Sequence, residues 1–131
     1  MKLSTKGRYG LMAMYRLAQN YGGGPISLKE IAAMEHLSEA YLEQLFSLLK
    51  KGELVKSIRG AGGGYLLARP PEDIPIGEVI NALEGNLGLS CCSVKMRPEC
   101  EKYNECATRD ILEELQYRME EVMDSMTLAD M

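Results

Sequence analysis

Cys91, Cys92, Cys100 and Cys106 are the residues of this chain best suited to chemistry, and all four fall in one short stretch. Thiolates bind iron–sulfur clusters and zinc, and an irregular loop can wrap several of them around one centre. The spacing Cys92-x7-Cys100-x5-Cys106 offers three ligands from a single segment. It lacks the paired C-x-x-C hooks of a zinc finger. Cys91 adjoins Cys92, and neighbouring residues seldom both reach one site. The plainer readings are free thiols or a disulfide. The basic start of the chain is followed by no apolar run, so an export signal is not expected and the compartment is expected to be cytoplasmic and reducing. That favours metal ligands or redox thiols over structural disulfides. His36 is the only histidine and has no companion for nucleophilic or acid–base catalysis, so an enzyme is not expected.

A second group of residues suits nucleic acid. Arg59 precedes Gly60-Ala61-Gly62-Gly63-Gly64. A bare, glycine-rich tip can lie close to a sugar-phosphate backbone, and an arginine beside it can enter a narrow minor groove. These glycines do not complete a G-x-G-x-x-G nucleotide motif, because Tyr65 takes the sixth place. They also lead into a strand, which leaves no helix N-terminus for a phosphate. Upstream stand Ser38, Tyr41, Glu43 and Gln44. Gln pairs with adenine and Glu accepts from the cytosine amino group.

The elements that would position these residues are legible in the pattern. Leu11, Met14, Tyr15 and Ala18 form an apolar stripe on a helix expected over residues 8–21, stopped by Gly22-Gly23-Gly24-Pro25. Ser27-Leu28-Lys29-Glu30 is a capping box, with Ile26 and Ile31 spaced as a hydrophobic staple, and starts a helix reaching about residue 36. Ser38 caps the next helix, whose buried stripe is Leu42, Leu45, Phe46 and Leu49 and whose end is Gly52. Two short helices joined this tightly make a helix-turn-helix, with its second helix the reading one. Residues 54–58 and 65–68 read as two strands of a hairpin around the glycines, and Pro70-Pro71 closes the unit. A hairpin after a helix-turn-helix is a wing. The fold class is therefore mainly α with a small β-hairpin wing, a winged helix-turn-helix followed by a long C-terminal helix. A short helix is expected over residues 76–84 and an irregular loop over 86–107. From Thr108, Ile111, Leu115, Met119, Val122 and Met126, with Leu112 and Met123 beside them, form a stripe that needs a partner chain. Three segments follow: 1–71 as the winged unit, 72–107 as short helix and cysteine loop, and 108–131 as dimerisation helix and tail.

Composition agrees with a single small domain of 131 residues, with 46% apolar and 26% charged residues and nine Met beside one Phe and no Trp. No apolar run is long enough to span a membrane. The net charge of −4 hides a split. Residues 1–70 hold ten Lys and Arg against five Glu, a net of +5, and residues 71–131 hold five against fourteen acids, a net of −9. A basic half beside an acidic one suits a DNA-reading head and a regulatory tail that repels phosphate.

Leu3-Ser4-Thr5-Lys6-Gly7-Arg8-Tyr9, then Leu37-Ser38 with Tyr41-Leu42-Glu43-Gln44-Leu45, and Val55-Lys56-Ser57-Ile58-Arg59-Gly60 through Tyr65 together resemble the iron–sulfur cluster regulator (IscR) branch of the winged-helix regulators and its cysteine-metabolism (CymR) branch. The resemblance spans essentially the whole chain. It implies a homodimeric transcription regulator, a repressor or activator acting at a double-stranded DNA operator, with DNA contacts at positions matching Glu43, Gln44 and Arg59. Ser38, Tyr41 and Gly60 are expected beside them. It implies an iron–sulfur cluster held by Cys92, Cys100 and Cys106, [2Fe–2S] rather than [4Fe–4S], and iron–sulfur assembly proteins as partners. The first two cysteines stand two residues further apart than the best-known family pattern. Where the enterobacterial members have a His ligand three residues after the last cysteine, this chain has Arg109. Cys91, Glu105, Asp110 or a group from the partner chain then remains for the fourth position. The cysteine-metabolism repressors lack the three cysteines, which favours the cluster branch; the nitric-oxide-sensing relatives carry three as well. The other readings are a zinc or thiol switch on the same fold, a repressor governed by an enzyme partner, and a small electron-transfer protein.

Overall fold

The structure is a computed structural model and describes residues 3–85, 88–89 and 104–131. Cys91, Cys92 and Cys100 lie outside the described residues. The chain forms helices α1 (Thr5–Gln19), α2 (Leu28–Glu35) and α3 (Glu39–Lys51), strands β1 (Val55–Ile58) and β2 (Gly64–Leu67), then α4 (Ile76–Glu84) and α5 (Arg109–Ser125). Short 3-10 turns sit at Pro71–Asp73 and Leu128–Asp130.

The first helix starts at Thr5, three residues before its expected start, and the reason lies far along the chain. Its first turn has no acidic residue, and the Ser4 side chain does not cap it. Glu84, the last residue of α4, does so instead. Its Oε1 accepts from the Gly7 N–H at 2.9 Å, the Ser4 N–H at 3.2 Å and the Ser4 hydroxyl. A charged acceptor on orphan N–H groups is worth more than a neutral one. The buried face of α1 is Gly7, Gly10, Ala13, Met14 and Leu17, rotated from the stripe that periodicity suggests. Glycine is the reason: a Cβ on Gly10 would lie 2.1 Å from Leu83 Cδ1, so α1 and α4 meet where α1 has no side chain.

The helix-turn-helix forms as its caps dictate. Ser27 accepts from the Glu30 N–H at 3.2 Å while Glu30 Oε2 accepts from the Ser27 N–H at 3.0 Å. His36 ends α2 in the left-handed conformation at φ 56°, which turns the chain within one residue. Leu42, Leu45, Phe46 and Leu49 are all fully buried. Each such side chain contributes about 1.5–3 kcal/mol by leaving water.

The wing is an antiparallel hairpin with Val55 opposite Leu67 and Ile58 opposite Gly64. A third line of backbone extends it. Ile26 donates to the Tyr65 carbonyl at 2.9 Å and accepts from the Tyr65 N–H at 2.8 Å. The segment before α2 is thereby sewn to the wing. At the far end, Leu128 is 2% exposed in the same apolar core as Met14, Phe46 and Leu67. It is held there by its N–H to the Ile74 carbonyl at 3.1 Å and by Ile76 N–H to the Met126 carbonyl at 2.8 Å. The chain's final turn is thus part of the head's core.

Candidate nucleic-acid interface and cysteine segment

The outer face of α3 presents Glu39, Ala40, Glu43, Gln44 and Ser47 to solvent. Ser38 is exposed, and its hydroxyl accepts from the Tyr41 N–H at 3.1 Å, so it sets where the helix begins. Tyr41 is half-buried and meets Tyr9 of α1 edge-on, with ring centroids 6.2 Å apart. It braces α3 against α1. Beside the reading face, Lys6 joins Ala40, Glu43, Gln44, Ser47 and Leu48 around an open groove of about 570 Å³.

Arg59 and Gly60 are exposed at the wing tip. Gly63 N–H donates to the Gly60 carbonyl at 3.0 Å and closes the turn. Lys50 Nζ donates to Ser57 Oγ at 3.1 Å and ties the end of α3 to β1. Wing and reading helix are therefore held in one frame. Gly64 fixes that frame at φ 153°: a Cβ there would lie 2.3 Å from the Ile26 carbonyl oxygen.

Charge follows the same division. Lys6, Arg8, Lys29, Lys51, Lys56 and Arg59 are exposed on the head, and none has an ion-pair partner among the described residues. The head's Glu35 is taken by Arg16 and Glu30 by its capping box. The open cations are available to phosphate, which supplies most of the affinity of DNA binding.

Cys106 lies just before α5, with Sγ 3.3 Å from Thr108 Oγ1. The Thr108 hydroxyl holds the thiol below its ordinary pKa; the Thr108 backbone adds to this, and Arg109 does so more weakly. A thiol biased toward thiolate is the donor a soft metal requires. Asp110 is exposed and ion-paired to Arg109 at 3.0 Å, and Glu105 is exposed. The described residues gather no group of three or more His, Cys, Asp and Glu side chains, and Cys92 and Cys100 fall outside them. Gln116, the buried polar residue of α5, accepts from the Leu89 N–H at 3.0 Å and so seats the chain just before the cysteines on that helix.

Along α5, Ile111, Leu115, Val122 and Met126 form an exposed apolar row; Ile111 is 57% and Val122 56% exposed. No helix among the described residues is long and apolar enough to cross a membrane.

A family model described as an iron-dependent transcriptional regulator, Rrf2, matches residues 3–131. The chain belongs to the Rrf2 family of transcriptional regulators. It is 47% identical over 131 residues to the HTH-type transcriptional regulator CymR of Bacillus subtilis, covering all of this chain and 89% of that one. The solved structure of that protein, the global cysteine regulator of B. subtilis, superposes with a TM-score of 0.80 over 99% of this chain and 95% of that one, at 45% identity. IscR of T. potens superposes with a TM-score of 0.77 at 48% identity, over 99% of this chain and 85% of that one. The Rrf2 membership makes this a DNA-binding regulator rather than an enzyme, and the winged helix-turn-helix with a long C-terminal helix is its family fold.

Three features escape sequence reasoning: the Glu84 cap, the place of Lys6 beside α3, and the burial of Leu128. Glu84 and Ser4 are 80 residues apart, so no local pattern links them.

Proposed function

We propose that this Rrf2 regulator is a homodimer whose operator affinity is governed by an iron–sulfur cluster, [2Fe–2S], held by Cys92, Cys100 and Cys106. The observation that carries the regulatory half is Cys106: a thiol held below its ordinary pKa by Thr108, just before the helix that exposes an apolar row. When bound, such a cluster supplies a redox- and iron-responsive centre. The chain's own residues do the rest. Ser38 and Tyr41 fix the start of α3, Glu43 and Gln44 meet base edges, and Arg59 with Gly60 enters the minor groove. Ile111, Leu115, Val122 and Met126 pair with the same row of a second copy, which doubles the head for a pseudo-palindromic operator. Residues 1–71 then act as the reading unit, 72–107 as the sensing segment and 108–131 as the dimer helix and tail. A cytoplasmic setting and exchange with iron–sulfur assembly proteins belong to this reading.

The test is anaerobic purification, a visible spectrum, and iron and acid-labile sulfide counts. Two iron and two sulfide per chain, with colour lost on replacing any one of the three cysteines by serine, is the expected result. Arg59→Ala should weaken operator binding by about 1–3 kcal/mol at matched salt. Colour retained in all three cysteine variants refutes the cluster.

The likeness to CymR, the global cysteine regulator of B. subtilis, favours a second reading in which the same fold answers to cysteine metabolism through thiols, zinc or a protein partner. Zinc without acid-labile sulfide, or a chain with no metal, selects it.

A further inference from the structure

The reading face poses an electrostatic problem. Its exposed residues before the last turn of α3 are Glu39, Ala40, Glu43, Gln44 and Ser47, which carry two negative charges and no positive one; Lys50 and Lys51 follow only in that last turn. DNA is a polyanion, and a helix bearing carboxylates enters its major groove only if nearby cations neutralise the flanking phosphates. On the wing side Arg59 and Lys56 are available. The groove beside the first turns of α3 has one cation, Lys6, which shares its wall with Glu43 and Gln44. Lys6 is exposed, and it makes no hydrogen bond or ion pair among the described residues, not even with Glu43.

Lys6 is also held in place. It lies between Ser4 and Gly7, whose N–H groups both donate to Glu84 Oε1. Tyr9, one turn on, is braced against Tyr41 of α3. The backbone of Lys6 is therefore fixed relative to the reading helix by contacts on both sides. A cation fixed this way loses less freedom on pairing than a lysine on a loose arm.

We propose that Lys6 is a DNA-contacting residue: its ammonium neutralises a backbone phosphate flanking the major groove that α3 enters. The proposal rests on the reading that α3 and the wing bind duplex DNA. A phosphate contact positions the protein and carries no sequence information. Lys6 accordingly sets affinity and salt dependence, and Gln44 sets preference.

The experiment uses the full chain, purified anaerobically, and two duplexes. One is enriched by the wild-type chain from a randomised pool; the other is its scrambled equivalent. Fluorescence anisotropy is measured across a salt series for wild type, Lys6→Gln, Lys6→Arg and Gln44→Ala, with circular dichroism to show that each variant is folded. Lys6→Gln is expected to weaken binding to both duplexes about fivefold and to lower the slope of log K against log salt by about one per chain engaged. Lys6→Arg restores the slope. Gln44→Ala narrows the difference between the duplexes and keeps the slope. Wild-type affinity and slope in Lys6→Gln overturn the proposal, as does a loss confined to the enriched duplex. If the wild-type chain binds neither duplex, the DNA reading itself fails and Lys6 fails with it; binding by wild type with Lys6→Gln unchanged rejects Lys6 alone.

Discussion

Replacing Gly64 by alanine should loosen the wing from the head, and the cost follows from the geometry. An added Cβ would stand 2.3 Å from the Ile26 carbonyl oxygen, 2.4 Å from its carbon and 2.7 Å from the Ser27 nitrogen. All three are backbone atoms, so no side chain can rotate aside. The methyl fits only if β2 moves away from the Ile26 segment. That breaks the pair of hydrogen bonds between Ile26 and Tyr65, at 2.8 and 2.9 Å. Each contributes about 0.5–1.5 kcal/mol net, and a φ of 153° adds about 1 kcal/mol for a residue with a Cβ. The expected loss is about 2–4 kcal/mol. Gly60→Ala is the control. It too has a positive φ, at 97°, but nothing lies within 4 Å of its Cβ, so conformation alone should cost about 1 kcal/mol. Both variants are compared with wild type by urea unfolding at one protein concentration, because the proposed dimer would contribute to apparent stability. Amide exchange at Ile26 and Tyr65 should accelerate in Gly64→Ala and stay slow in Gly60→Ala. Equal losses in the two variants would refute the argument that backbone contact, rather than backbone conformation, makes residue 64 a glycine.

Three further outcomes are expected. Glu84→Ala removes a charged acceptor from two N–H groups and a hydroxyl of α1, and should cost about 1–3 kcal/mol in urea unfolding. Glu78→Ala removes an exposed ion pair with Arg69 and a first-turn carboxylate of α4, and should cost about 1 kcal/mol or less; equal effects would deny the cap. Thr108→Val removes the hydroxyl that lowers the Cys106 thiol, so its pKa rises. In the reduced, metal-free chain, alkylation of Cys106 followed by peptide mass spectrometry should then shift to higher pH. Superimposable pH profiles would exclude the hydroxyl as the cause. Leu115→Glu places a charge in the exposed row of α5 and should convert a dimer to monomer in sedimentation equilibrium at fixed concentration. A variant that sediments as wild type removes this face from the dimer contact.

Short-range structure was legible because its causes are short-range. The Ser27–Glu30 box, the Ser38 cap and the Gly52 stop lie within a turn of what they control, and α2, α3 and α4 form at the places their patterns indicate. The buried stripe of α3 follows from spacing alone. The stripe of α1 was legible only in part: Met14 is fully buried and Leu11 and Ala18 pack against the core, but the face is centred elsewhere. Periodicity counts apolar side chains, whereas the contact face of α1 is built around Gly7 and Gly10, which have none. The row on α5 was legible as apolar, and its exposure beside a well-covered core is what makes it an interface candidate.

The residue types alone settled the class of molecule: capped helices, a glycine-rich hairpin and a basic half beside an acidic one. Only the tertiary structure decided how the parts are tied together. Glu84 caps a helix whose N-cap, Ser4, lies 80 residues earlier, Tyr65 pairs with Ile26 across the head, and Leu128 closes a core begun at Ala13. Caps and stripes are written within one or two turns of chain, where helix geometry relates each residue to its neighbours. Which distant segments meet depends on how all the elements pack at once, and no spacing along the chain records that.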